Sequence, residues 1–132
     1  MKNFRINHFG GKALCTTWDE VAQTLEQTVG GVNEFFIAAE HTMFPYLVVL
    51  VQGDYAYMHC VSNETDAGLV AFSDDISTDL PPDGISIFYT NAPTEEIEIY
   101  NDYVIPKTLA WAVVKDFVET GEMSSCVEWE EL

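Results

Sequence analysis

From Trp18 to Val29 the apolar residues Trp18, Val21, Ala22, Leu25 and Val29 recur every three or four positions, which is the spacing of one helix face. Thr17-Trp18-Asp19-Glu20 opens this run as a capping box. Thr17 accepts from the Glu20 backbone N–H while the Glu20 side chain reaches back. Gly30-Gly31 supplies a stop. A second helical period, Leu109, Ala110, Val113, Val114, Phe117 and Val118, follows Pro106 and ends at Gly121. Proline suits a first turn, because its missing N–H has no intrahelical partner there.

Between these helices the period shortens to two or disappears. "YLVVLV", Tyr46 to Val51, is led by Pro45 and apolar throughout, the pattern of a central strand covered on both faces. "QGD" turns the chain and Tyr55 to Val61 returns as its partner. "GLVAFS" and "GISIFYT" read as further short strands, and "EIEIY" alternates sharply. In the closing "CVEWEE", Val127 and Trp129 turn to a core while Glu128 and Glu130 turn to water. Short connections favour hairpins over parallel crossovers. The expected fold is α+β: an antiparallel β-sheet of about five to seven strands with two amphipathic helices packed against it, in one domain spanning 1–132.

Composition supports a folded chain, with 48% hydrophobic and 13% aromatic residues among 132. Charge changes the picture more. There are 22 acids against 5 bases, a formal net charge of -17. The first 60 residues hold six acids and three bases, so the remaining 16 acids face only Lys107 and Lys115 in residues 61–132. Such a field disfavours nucleic acid and anionic membrane as direct partners and favours a basic protein. "MKNFRINHFGG" has cations with no apolar run behind them, and no apolar run is long enough to span a bilayer, so a cytoplasmic protein is expected. Cys15, Cys60 and Cys126 are odd in number and lack metal-like spacing, which suits buried reduced thiols.

Catalytic motifs are missing: no G-x-S-x-G, Walker loop, dinucleotide glycine fingerprint or H-E-x-x-H occurs. His8, His41 and His59 stand far apart and read as structural or surface residues. "SDDISTDLPPDG" begins like a calcium loop at Asp75, Ser77 and Asp79, but Leu80 replaces the sixth-position glycine and Ser86 the twelfth-position glutamate. No metal, cofactor or catalytic residue is therefore assigned, and the chain is read as a non-enzyme.

The placement of acids points to binding. Asp116 and Glu119 lie toward the C-terminal end of the second helix, where the macrodipole disfavours anions by ~0.3–1 kcal/mol each when exposed. Asp74-Asp75 and Glu95-Glu96 repel one another without a nearby cation in sequence. These acids are better explained by a partner than by stability. The expected contact surface is Asp74, Asp75, Asp79, Asp83, Glu95, Glu96 and Glu98 with Tyr100. Tyr89 and Tyr103 are further aromatics near acids, and each tyrosine is equally a normal strand residue.

The order of parts resembles a known family. "FPYLVVLVQGDYAYMHCV" as a proline-led hairpin, followed by "VIPKTLAWAVVKDFVETGEMSSCVEWEEL" as proline, amphipathic helix, glycine and terminal V-x-W-x-E strand, resembles the Imm-one family of bacterial immunity proteins. The matching positions are Pro45, Gly53, Pro106, Gly121, Trp129 and Glu130, all assigned to the fold. The resemblance implies a protein that binds a cognate toxin, often a deaminase or nuclease, encoded beside it in a polymorphic or contact-dependent toxin system. A cleft that holds nucleic acid is basic, so the acidic surface of an inhibitor complements it. Two other readings remain open: a small-ligand module or hydrolase using clustered carboxylates, and an acidic mimic of nucleic acid with carboxylates spaced along one stripe.

Overall fold

The computed structural model describes residues 1–72 and 78–132. Among these residues ten strands form two antiparallel sheets. The larger contains β1 (Phe4–His8), β2 (Gly11–Cys15), β3 (Val32–Ala39), β4 (Tyr46–Gln52), β5 (Tyr55–Val61) and β6 (Leu69–Phe72), with β9 (Ile105–Pro106) and β10 (Glu128–Glu131). Its order is β10-β6-β5-β4-β3-β1-β2, and β9 pairs beside β5. The smaller sheet is the pair β7 (Ile85–Tyr89) and β8 (Glu96–Tyr100). The α+β class and antiparallel pairing match the expectation, but the expected five to seven strands undercount them.

The omission is largely at the N-terminus. β1 and β2 place Phe4, Ile6 and Cys15 in the core but leave Arg5, Asn7, Lys12 and Leu14 on an open face, so their apolar signal is weak. β3 is hidden for the opposite reason. Phe35 and Ile37 face the helices while Phe36 and Ala38 lie on the other face, and apolar residues on both faces blur a period of two.

The helices α1 (Trp18–Leu25) and α2 (Lys107–Thr120) cover one face of the large sheet. Val21 and Leu25 of α1, and Ala110, Val113, Val114, Phe117 and Val118 of α2, close over Phe35, Ile37, Leu47, Val49, Val51, Ala56, Met58 and Cys60. Complete burial of each larger side chain contributes about 1.5–3 kcal/mol. β4, the expected central strand, sits fourth of seven and is covered on both faces, by α2's layer and by β7–β8. At the far edge Val127 is buried and Trp129 packs against the same core, donating its indole N–H to Ser124 O at 2.9 Å.

Helix ends follow the caps with two adjustments. Thr17 Oγ1 accepts from Glu20 N at 3.3 Å, but the Glu20 carboxylate reaches one residue further back, to Thr16 N at 3.0 Å and the Thr16 hydroxyl at 2.7 Å. These bonds hold the Glu20 carboxyl below its usual range. α1 stops at Leu25, short of the Val29 expected from periodicity, because Val29 instead forms a β-bridge with Val32 around Gly30-Gly31. Both glycines have positive φ, 64° and 84°, a region costly for residues with a Cβ. Pro106 is the N-cap of α2 and pairs with Tyr55, so it precedes the first turn instead of lying in it. Gly121 ends α2 in the left-handed region at φ 77°, its N–H donating to Phe117 O at 2.8 Å.

Cys15 and Cys60 are buried free thiols, whereas Cys126 is exposed, which corrects the expectation of three buried ones. Cys126 lies in the bend before β10, with Sγ 3.5 Å from Asp116 Oδ2. Burial, then the nearby Asp66, pushes the Cys60 thiol from its ordinary 9.0 up to about 11. The folded state thus disfavours the thiolate. The resulting stability is fully present below pH 9 and is lost as pH rises through about 11. Urea midpoints measured from pH 8 to 11 are expected to fall less steeply for Cys60→Ala than for the parent, and alkylation of the native protein at pH 8 to label Cys126 first. Equal slopes, or labelling of Cys60 as fast as Cys126, would contradict this account.

Candidate interaction surface

The face of the large sheet turned away from the helices carries the β7–β8 hairpin. Alternation divides the hairpin into two sides. Phe88 and Ile99 are buried with Leu50 and Val104, and Ile97 packs against the same cluster beside Val48, Tyr55, Tyr57 and Tyr103. The two ends are fastened by polar groups. At the turn end the Thr90 hydroxyl and Asn91 N–H, the latter at 3.2 Å, both donate to the Glu34 carboxylate on β3. At the other end Asn101 is buried. Its Nδ2 donates to Pro81 O at 2.9 Å, its backbone N–H donates to Gly84 O at 3.0 Å, and the Ser86 hydroxyl donates to its Oδ1.

The outer side follows from the register. Ile85 faces Tyr100, Ile87 faces Glu98 and Tyr89 faces Glu96, and residues directly opposite on an antiparallel pair share a face. Ile85, Ile87 and Tyr89 therefore form one apolar row on β7, and Glu96, Glu98 and Tyr100 a parallel row on β8. Ile85 is 49% exposed and Tyr100 is 68% exposed; Glu96 and Glu98 are exposed, while Ile87 and Tyr89 are half-buried. Aliphatic and aromatic groups this exposed, bordered by carboxylates, have the make-up of an interface centre with a polar rim.

Of the expected contact residues, the hairpin brings Glu96, Glu98 and Tyr100 onto one face. Glu95 is exposed at the turn end, where its carbonyl accepts from Thr90 N at 3.1 Å. Asp83 is exposed just ahead of β7, at the opposite end. Asp79 stands apart and accepts from the Tyr55 hydroxyl, which raises the Tyr55 phenol above its usual value. Asp74 and Asp75, with the Asp75 and Ser77 positions of the calcium-like stretch, lie outside the described residues. Tyr103 sits half-buried on the 3-10 turn Asn101–Tyr103, and the Glu130 carboxylate beside it pushes its phenol up, chiefly through a hydrogen bond. Ile85 and Ile87 were not among the expected contacts. Their outward direction is hidden in "GISIFYT" alone and follows only once that strand is paired with "EIEIY", whose glutamates must face water.

Charge is sorted along the large sheet as well. Lys2, Arg5 and Lys12 belong to the β1–β2 edge or lead into it, while Glu128, Glu130 and Glu131 lie on β10 at the opposite edge. Arg5 is already engaged, donating to Thr42 O at 2.7 Å with its guanidinium 5.8 Å from the Phe36 ring centre. Asp116 is also engaged: its Oδ2 accepts from the Ser124 hydroxyl at 2.6 Å and so orders the loop after α2. The three histidines remain separate. His8 packs 5.8 Å from the Phe35 ring, His59 Nε2 lies 3.1 Å from Ala67 O, and His41 is exposed beside Glu40.

A cleft of about 290 Å³ runs between the hairpin turn and β1–β3, lined by Asn7, His8, Phe36 and Asn91 among others. Its carboxylate, Glu34, is the one that already accepts from Thr90 and Asn91. Among the described residues no group of three or more His, Cys, Asp and Glu side chains is arranged to hold a metal ion, and no helix is long and apolar enough to cross a membrane.

Comparison with curated proteins finds no match. A family model described as Immunity protein Imm1, in contrast, matches residues 10–131. That span takes in the proline-led β4–β5 hairpin, the β7–β8 hairpin, α2 and the Trp129 strand. The chain belongs to the Imm1 family of immunity proteins.

Proposed function

We propose that this immunity protein, acting as one domain over 1–132, neutralises a basic deaminase or nuclease toxin by docking the outer face of β7–β8 on it and blocking substrate entry. Family membership makes a toxin the partner. The finer reading is carried by one observation, the paired rows Ile85-Ile87-Tyr89 and Glu96-Glu98-Tyr100 on an exposed face. The apolar row supplies area to desolvate, which holds a complex together. The acidic row, with Asp83 and Glu95 at its ends, supplies orientation and encounter rate. The contact set proposed from the sequence also names Asp79, and Asp74 and Asp75, which lie outside the described residues. Inhibition needs no catalysis or cofactor by this chain, and an acidic protein of this kind meets its toxin in the cytoplasm without binding nucleic acid or membrane itself.

The direct test mixes the purified protein with the toxin encoded by the neighbouring gene. A stable complex with loss of toxin activity is expected, and finding neither sinks the proposal. The association rate is expected to fall by ~10-fold or more between low and physiological salt. A flat rate with intact inhibition removes the electrostatic part alone.

A further inference from the structure

The hydrogen-bond phase of the hairpin says which of its backbone groups are spoken for. Thr90 N donates to Glu95 O at 3.1 Å, and Asn101 N donates to Gly84 O at 3.0 Å. Both pairs stand directly opposite in the register of β7 and β8. In an antiparallel ladder bonded and non-bonded pairs alternate, so bonded pairs recur at Gly84, Ser86, Phe88 and Thr90. Ile85, Ile87 and Tyr89 occupy the non-bonded pairs. Their N–H and C=O groups point away from β8, along the free edge of β7, and the groups of Glu96, Glu98 and Tyr100 point along the free edge of β8. Among the described residues no backbone hydrogen bond reaches either edge outside the hairpin.

These two edges differ in chemistry. The β8 edge carries carboxylates two residues apart, a device that keeps strands from adding to a sheet. β7 holds no charged residue of its own; its outward backbone groups, at Ile85, Ile87 and Tyr89, make no backbone hydrogen bond among the described residues, and the nearest carboxylates sit across the ladder on β8. An apolar edge strand of this kind is a template for another chain.

Resting on the reading of this face as the toxin site, we infer that the toxin adds an extended segment to the free edge of β7, as a third strand of the hairpin sheet. Its residues on the outer side alternate with lysine or arginine. Neighbouring strands lie about 4.8 Å apart, so β8 is two spacings, ~10 Å, from the added strand. A long cation leaning across β7 and a glutamate leaning back span that distance together. Charge also selects against a second copy of this chain as the occupant: pairing two β7 edges would bring together two molecules of net charge -17 and two rows of glutamates.

Amide hydrogen exchange on the complex with the neighbouring gene's toxin domain tests the inference. The Ile85, Ile87 and Tyr89 amides are expected to slow by ~100-fold or more on binding, with Glu96 and Glu98 amides unchanged. A proline at Ile87 removes an outward N–H without taking a bond from the hairpin, so Ile87→Pro is expected to bind ~10-fold more weakly than Ile87→Ala. Because that variant can fail to fold, exchange on the unaltered chain decides. A complex whose β7 amides exchange as fast as in the free protein, or in which the β8 amides slow instead, overturns strand addition and leaves the immunity reading standing. Failure to form any complex overturns both. Protection in the free protein that grows with its own concentration assigns the edge to a second copy and overturns the inference.

Discussion

Phe35→Ala is expected to lower the free energy of unfolding by about 3–5 kcal/mol, a large part of the 5–15 kcal/mol typical of a domain. Phe35 lies on β3 with no exposed surface, and its ring meets Trp111 of α2 edge to face at 6.1 Å and lies 5.8 Å from His8. It therefore joins the sheet to the helix layer, and truncation removes area from both sides of that joint. Its neighbour Phe36 gives the contrast. Half-buried on the opposite face, Phe36 stacks on Tyr46 at 4.7 Å and holds Arg5 over its ring. Phe36→Ala is expected to cost clearly less, because its site opens to water and leaves no closed cavity. Urea denaturation of the two variants makes the comparison, and equal losses would refute this division of the sheet into a packed face and a partly open one.

Ile87→Glu is expected to weaken toxin binding by ~30-fold or more while lowering the unfolding midpoint only modestly, the cost of a half-buried position facing Glu98. The side chain points outward opposite Glu98, and the inward packing of the hairpin rests on Phe88, Ile97 and Ile99. The substitution removes an apolar contact from the middle of the row and adds a third carboxylate among Glu96 and Glu98. A titration by calorimetry with a parallel thermal melt separates the two effects. Unchanged affinity would remove the apolar row from the interface. A matching fall in the melting temperature would instead assign Ile87 to the fold.

Much of this architecture is legible along the chain where burial differs sharply between faces. The α2 period, the glycine at 121 and the apolar run Tyr46 to Val51 of β4 all carry strong signals, and each occupies its expected place. Legibility fails where two environments look alike or where local chemistry wins. In β3 apolar residues on both faces cancel the alternation, and in β1 and β2 an open face dilutes it. The α1 period runs on to Val29, yet the Gly30-Gly31 turn claims that residue for a bridge. At the candidate surface the glutamates are visible as acids, while the meaning of Ile85 and Ile87 depends on pairing with a strand about ten residues away. Asp116, whose place against the helix dipole points to a partner, has an internal use in Ser124.

The two-sided hairpin has a consequence for how such a protein changes over generations. Phe88, Ile97, Ile99 and the Glu34 tether answer to the fold, whereas Ile85, Glu96, Glu98 and Tyr100 are exposed and the half-buried Ile87 lies outside the packed cluster. A toxin that alters its surface can be followed by substitutions on one side of ten residues, with the scaffold beneath left intact. On the proposed docking face, recognition is a replaceable facing on a permanent frame.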